Sequence, residues 1–295
     1  MVNQKYLDKA EVLIEALPYI QRFNRKIVVV KYGGNAMLND DIKTKVLQDI
    51  VFLQCAGLRP VVVHGGGPEI TAMLGKAGKK TQFVSGLRVT DAESVGIAEM
   101  ALVGKINTDL VARLNVLGGR AVGLNGKDAG LIRAKKHLAD VYENGEVNLV
   151  DIGNVEKINT ELLEVLLDND FIPVIAPTGV GANGETYNIN ADSVAGEIAG
   201  ALKAEKLLVL TDVKGIYADY RDEASFISTL SFEKAQELII RGNIDGGMIP
   251  KVKACITALS GGAKKTHIID GRAEHTILME IFSDEGVGTE VVKEL

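Results

Sequence analysis

Short apolar runs of four or five residues, set apart by stretches of helical periodicity, constrain this chain more than any other feature. The runs are Ile27–Lys31, Pro60–His64, Arg120–Leu124, Ile172–Ala176, Leu207–Thr211 and Thr266–Ile269. So short and so uniformly apolar, they read as strands covered on both faces. Helical patterns fall between them, at Asp41–Ala56, Asp91–Val116, Ala191–Leu202 and Phe232–Arg241. The alternation predicts an α/β fold with a mainly parallel central sheet and helices on both sides. With 295 residues, 46% of them hydrophobic, there is enough apolar material for that core, in one α/β unit or two lobes.

Local signals refine the outline. Thr90-Asp-Ala-Glu93 reads as a capping box for the helix after Val89. Val141–Val155, with Asn144-Gly145 inside it, reads as an antiparallel hairpin. No linker splits the chain, and the best candidate for a boundary is the glycine-rich stretch Thr178–Gly184. Residues 1–25 stand outside the alternation. Tyr6, Val12, Leu13, Leu17 and Ile20 recur at helical spacing, and Pro18 is expected to kink the helix they form. Its apolar stripe packs either on its own domain or on another subunit.

Charge and composition remove several function classes. The net charge is −6 with both signs dispersed, and without a basic arm nucleic acid is not expected as a partner. No apolar run approaches the roughly 20 residues that cross a bilayer. The N-terminus lacks a signal-peptide core, so a cytoplasmic protein is expected. Cys55 and Cys255 read as free core thiols.

In open parallel sheets, ligands sit beyond the carboxyl ends of strands, so the residues after each run carry the chemistry. Lys31-Tyr-Gly-Gly-Asn35 follows the first run and His64-Gly65-Gly66-Gly67 the second, where Pro68 can open a helix. Three glycines let the backbone approach a ligand and present N–H groups to an anion at a helix N-terminus. The loops match neither G-x-x-x-x-G-K-[ST] nor G-x-G-x-x-G, because Ile70 stands where the third glycine of the latter is needed. Further on come Arg88 in "SGLRVTD", Asn188, Asn190 and Asp192 in "YNINAD", Thr211-Asp212 before Gly215, and Lys251 in the first turn of a helix. Neither a Ser-His-Asp arrangement nor a metal-ligand spacing accompanies them.

Two lysines, an arginine, an aspartate and an anion loop suit phosphoryl transfer to an acceptor that is already ionised. Such a transfer needs positioning and charge neutralisation but no general base. On this reading Lys31 touches a phosphate.

The motifs VVVKYGGNAM, VVVHGGGP, SGLRVTD, EMALVGKIN, GGRAVGLNGKD, YNINAD, LVLTDVKGIY, GGMIPKVKAC and IIDGR, in this order, resemble the N-acetyl-L-glutamate kinases of the amino-acid kinase family along essentially the whole chain. The resemblance implies a three-layer αβα sandwich. It implies an assembly segment at residues 1–25, a lobe for the amino-acid substrate at 26–182 and a nucleotide lobe at 183–295. It implies Lys31 and Lys251 as the pair that stabilises the transferring phosphoryl group, with Asp192 holding both. Gly66, Gly67, Arg88 and Asn188 are then contacts to N-acetyl-L-glutamate. Gly33 and Gly34 lie along the phosphates of Mg²⁺-ATP, and Thr211, Asp212 and Gly215 lie at the nucleoside. No protein cage for Mg²⁺ is expected, the ion being carried by phosphates and water.

The N-terminal helix resembles the extension of arginine-inhibited members, which joins dimers into a hexamer, and Tyr19, Glu280, Gly286 and Gly288 resemble arginine-site elements. A PII-type signalling protein is a further partner in some relatives. The rival readings are another amino-acid kinase, a silent arginine- or nucleotide-sensing subunit, and a dehydrogenase.

Overall fold

The computed structural model describes residues 3–294 except 38, 80, 82, 85, 86, 89–91, 144, 145, 220 and 245. Thr90-Asp91 of the predicted capping box and the Asn144-Gly145 turn lie outside the described residues. Each predicted strand is present, with its ends moved by a residue at most: Ile27–Tyr32, Arg59–His64, Ala121–Asn125, Ile172–Ala176, Lys206–Thr211 and Lys265–Asp270. Together with Thr229–Ser231 and Thr289–Val292 they form a sheet that is eight-stranded among the described residues. Ile27–Tyr32 lies at its centre, parallel to Lys206–Thr211 on one side and to Arg59–His64 on the other. The sheet is parallel except where Lys265–Asp270 meets Thr289–Val292.

Period-two alternation divides the core into two layers. Val29, Val61, Val63, Leu207, Val209 and Ile268 face one layer, covered by the helices Glu161–Asp168, Ala191–Ala201, Phe232–Ile240 and Met248–Gly261. Val28, Val30, Val62, Leu208, Leu210 and Ile269 face the other, covered by Asp40–Cys55, Thr108–Val116 and Thr276–Ile281. This is the expected αβα sandwich, built on one continuous sheet.

Other features depart from the sequence reading. The hairpin is far longer than Val141–Val155: Ile132–Glu143 pairs with Glu146–Ile158, because alternating residues well outside the turn also find partners. The glycine-rich stretch Thr178–Gly184 is itself structured. Thr178–Val180 pairs antiparallel with Thr186–Asn188, and a Cβ on Gly179 would lie 2.7 Å from Ala134 Cβ, so packing requires this glycine. The predicted helix Asp91–Val116 is a helix at Ala92–Glu99, a π-helix at Met100–Asn107 and a helix at Thr108–Val116. Cys55 is exposed and only Cys255 is a core thiol, since the buried face of Asp40–Cys55 ends at Leu53.

The N-terminal helix spans Gln4–Phe23 through Pro18. Its last turn packs on its own domain, with Phe23 buried and Tyr19 edge-on to Phe282. The remainder is bare, with Tyr6, Val12, Leu13 and Ile14 63–67% exposed. Among the described residues no helix is long and apolar enough to cross a membrane.

Candidate active site

Lys31 is the last residue but one of the central strand, where both neighbours cover it in register with Val209 and Val63, and its side chain is only 7% exposed. Its ammonium group lies 2.8 Å from Asp192 Oδ1. Asp192 sits in the first turn of Ala191–Ala201, whose cap Asn190 accepts hydrogen bonds from the Asp192 and Ser193 amides. A carboxylate is favoured there by the helix dipole. Lys251 Nζ approaches the other oxygen, Oδ2, at 3.5 Å and donates to the Gly247 carbonyl at 3.1 Å.

The two helices that carry Asp192 and Lys251 run in the same sense and touch backbone to backbone. A Cβ on Gly196 would lie 2.6 Å from the Ala254 carbonyl, and one on Gly261 would lie 2.7 Å from Gly200 Cα. Glycine at these positions permits the close approach that joins the two N-termini.

Burial alone would raise the Asp192 carboxyl, yet the ammonium groups of Lys31 and Lys251 hold it below its ordinary range. Burial pushes Lys251 down, opposed by Asp192 and aided by Lys31. Asp192 thus faces two ammonium groups in a largely buried place, and Asp212 acts on Lys251 from the side of the neighbouring cavity. Such a site favours an anion.

Those ammonium groups border a cavity of about 330 Å³ lined by Gly34, the three glycines Gly65–Gly67, Arg88 and Asn188. The glycine loops of the first two strands meet there, a Cβ on Gly33 falling 3.3 Å from Gly65 Cα and 3.3 Å from Lys31 Nζ. Gly66 caps the helix Gly67–Lys76, and a Cβ there would lie 2.5 Å from Ile106 Cδ1 and 2.7 Å from Leu102 Cδ2 of the π-helix, so those side chains would have to shift. Arg88 Nη2 donates to the Gly67 carbonyl at 2.9 Å and to Thr71 Oγ1 at 2.8 Å, and burial lowers its pKa. The predicted set Lys31, Lys251, Asp192, Gly66, Gly67, Arg88 and Asn188 therefore converges on one cavity.

A second cavity, about 510 Å³, is lined by Thr211, Asp212, Gly215, Tyr217, Ile244 and Met248. Gly247 and Lys251 line both cavities. Thr211, Asp212 and Gly215 thus fall together as predicted, one wall away from the first group. A side chain at Gly215 would strike Thr289 Oγ1 at 2.6 Å. The apolar walls from Tyr217, Ile244 and Met248 escaped the sequence reading, because nothing in "YADY" or "GNIDGGM" marks them as neighbours.

A sequence profile of the amino acid kinase family matches residues 26–270. The chain belongs to that family. An acetylglutamate kinase of Moorella thermoacetica is 57% identical over 289 residues, covering 97% of this chain and 98% of that protein. Among solved structures, the N-acetylglutamate synthase of Neisseria gonorrhoeae complexed with coenzyme A and N-acetyl-glutamate superposes with a TM-score of 0.82 at 27% identity. The match covers 97% of this chain, which spans only 64% of that synthase. The same synthase complexed with coenzyme A and L-arginine superposes at 0.79 with 26% identity, over 97% of this chain and 65% of that one.

This amino acid kinase has a third cavity, about 240 Å³, at the opposite end of the strands. It brings Tyr19 of the N-terminal helix to Glu280, Gly286 and Gly288 near the other end of the sequence. Glu280 is 2% exposed, accepts from Lys206 Nζ at 2.7 Å and lies 3.0 Å from His267 Nε2. Gly286, at φ +66°, wraps it, with the Val287 amide donating to Oε2 at 3.1 Å. Tyr19 donates to Asp284 at 2.8 Å. Lys206 and His267 were not singled out from sequence, since each lies in a strand and no loop signal marks it.

Proposed function

We propose that this protein transfers the γ-phosphoryl group of ATP to the side-chain carboxylate of N-acetyl-L-glutamate, forming N-acetyl-L-glutamyl 5-phosphate. The observation that carries this reading is the Asp192-bridged pair of lysines where two cavities meet at Lys251. The acceptor carboxylate occupies the cavity of Gly66, Gly67, Arg88 and Asn188, with its oxygen aimed at the γ-phosphorus. That oxygen forms the new P–O bond while the bond to the β-phosphate oxygen breaks and ADP departs. No proton moves, so no base is required.

Two anions must approach each other, and Lys31 and Lys251 offset the repulsion by neutralising charge on the phosphoryl oxygens. Asp192 keeps both ammonium groups aimed inward through charge-assisted contacts. Gly33 and Gly34 lie along the phosphates, and Thr211, Asp212 and Gly215 hold the nucleoside end. Mg²⁺ enters with ATP. The ion is carried by phosphate and water. The full-length likeness to acetylglutamate kinases supports N-acetyl-L-glutamate as acceptor over glutamate or aspartate.

We assign the third cavity to arginine as an inhibitor. Glu280, Asp284, Glu285 and Glu290 line it and suit a guanidinium or an α-ammonium group. A structural neighbour was crystallised with L-arginine. The exposed stripe of the N-terminal helix then packs on its copy in another subunit and joins dimers into a hexamer. The compartment that fits this reading is the cytoplasm, which supplies ATP and keeps Cys55 and Cys255 reduced.

The deciding assay follows ATP consumption with N-acetylglutamate, glutamate and aspartate in parallel, trapping the acyl phosphate with hydroxylamine. Turnover restricted to N-acetylglutamate is expected, and its absence overturns the assignment. Deleting residues 1–24 is expected to abolish arginine inhibition and reduce particle size; a truncated protein still hexameric and inhibited contradicts the role given to the helix.

A further inference from the structure

His64 leaves its strand beside the glycine loop, is fully buried, and takes no part in the chemistry described above. Its two ring nitrogens are both engaged. Nδ1 lies 2.9 Å from the Gly65 carbonyl oxygen, and Nε2 lies 3.1 Å from Asn107 Nδ2. Asn107 Nδ2 also lies 2.8 Å from the Val174 carbonyl.

These contacts determine where the proton sits. The Val174 carbonyl can only accept, so the Asn107 atom facing it is the NH₂ group. The second hydrogen of that group points to His64 Nε2, which must then accept. The imidazole proton is left on Nδ1, from which it is donated to the Gly65 carbonyl. Burial agrees, holding the ring neutral with a pKa pushed down to about 4.

We infer that His64, oriented by Asn107, is a positioning residue that sets the plane of the Gly65–Gly66 peptide and so aims the Gly66 N–H at the acceptor carboxylate. A trans peptide holds its C=O and N–H on opposite sides. With the Gly65 oxygen drawn inward to His64, the Gly66 N–H is turned outward, toward the cavity that Gly65, Gly66 and Gly67 line. Between two glycines no side chain restrains that plane. A flipped peptide would present a carbonyl oxygen to an anion. Gly123 completes the device: a Cβ there would lie 2.1 Å from Asn107 Oδ1, so the glycine in that strand makes room for the amide.

The inference rests on the acceptor-site reading proposed above, and the tests separate the two. Asn and Gln place an amide NH₂ where His places Nδ1 and Nε2 respectively, so His64→Asn keeps the clamp and His64→Gln loses it. His64→Gln is expected to raise KM for N-acetylglutamate by about tenfold or more, leaving KM for ATP and kcat within about threefold, while His64→Asn stays within about threefold throughout. Wild-type KM in His64→Gln, or equal impairment of both variants, overturns the clamp.

A second measurement needs no variant. The ¹⁵N spectrum of the wild-type imidazole is expected to show a protonated Nδ1 and a bare Nε2 from about pH 8 to about pH 5. The opposite tautomer, or a charged ring in that range, overturns the inference even if the variants do not fold. If wild-type enzyme does not phosphorylate N-acetylglutamate, the acceptor reading fails and the role assigned to the Gly66 N–H fails with it. An active wild type with an indifferent His64→Gln removes the clamp alone.

Discussion

Two buried carboxylates, Asp192 and Glu280, sit at opposite ends of the same sheet and teach different lessons. Asp192 lies beyond the carboxyl end of the strands and bridges Lys31 and Lys251. Glu280 lies at the other end, between Lys206, which opens the strand that Thr211 closes, and His267. Burial first, then the ammonium groups of Lys206 and Lys265, push His267 down to about 3, so it is neutral at ordinary pH. In direct contact, Glu280 faces one ammonium group and a neutral imidazole, while Asp192 faces two ammonium groups. One cation on Glu280 braces the strand ends, and the further acids of its cavity, Asp284, Glu285 and Glu290, suit the cationic ligand proposed for it. Two cations on Asp192 make a site that waits for an anion. Proximity to a cavity does not separate them, since both have one; the cations in contact do.

The largest effect expected from this difference concerns turnover. Lys31→Ala or Lys251→Ala should lower kcat by about two to four powers of ten, roughly 3–5 kcal/mol of transition-state stabilisation. Asp192→Asn should do similar damage by releasing both lysines. Glu280→Gln should leave kcat without arginine within about threefold while still lowering stability, because it strands Lys206. Steady-state kinetics and urea titrations on the same preparations make the comparison, and normal turnover in both lysine variants would remove the distinction altogether.

Next in size is a pH effect at the Glu280 end. The folded value of His267, about 3, lies below its ordinary 6.5. Between the two, the unfolded chain binds the proton and the native ring does not, so stability is full above about pH 6.5 and falls as pH drops toward 3. The loss should be of order 4 kcal/mol over that window, read from urea midpoints, and His267→Asn should flatten much of the slope. An unchanged slope in that variant would place the acid sensitivity elsewhere, with His64 the next candidate.

Smaller again is the effect of forcing the two helices at the Asp192 end apart. Gly196→Val should cost about 1–3 kcal/mol through overpacking against Ala254, with kcat falling more than the Glu280 region is disturbed. Arginine inhibition retained in a variant of reduced kcat would show the two ends to be separable. Smallest is a thiol test of rigidity near Lys251. Cys55 should react at once with a thiol reagent and leave kcat unchanged within about twofold. Cys255, one turn beyond Lys251, is buried with its thiol pushed up to about 12 and should react only on unfolding. Rapid labelling of Cys255 would mean that the Lys251 helix opens readily.

The strands were legible because each is a local event. Five consecutive apolar residues such as Ile172–Ala176 need no knowledge of the remaining chain to announce a buried strand, and the ends came out within a residue. Strand exits followed from the same logic, which is why Lys31, Gly66, Arg88, Asp192 and Lys251 stood out. Three features resisted. The π-helix at Met100–Asn107 has the periodicity of an ordinary helix in sequence, and its wider turn appears only where Leu102 and Ile106 press on Gly66. The hairpin from Ile132 to Ile158 is charged along much of its length, which hid its outer pairs. Cys55 follows an apolar run and so read as core, although the helix turns it outward.

By itself, then, the sequence determined the parallel sheet, the anion-ready glycine loops and the inventory of cations and acids at the strand ends. Those follow from periodicity and backbone freedom, which act over a few residues. Only the tertiary structure decided how unequally Lys31 and Lys251 approach the aspartate expected to hold both, that Asn107 meets His64, and that Tyr19 closes on Asp284. Each of those meetings depends on how closely packed elements cross, as at Gly196 and Gly261. Crossing distance is a property of two surfaces together, and no local stretch of chain encodes it.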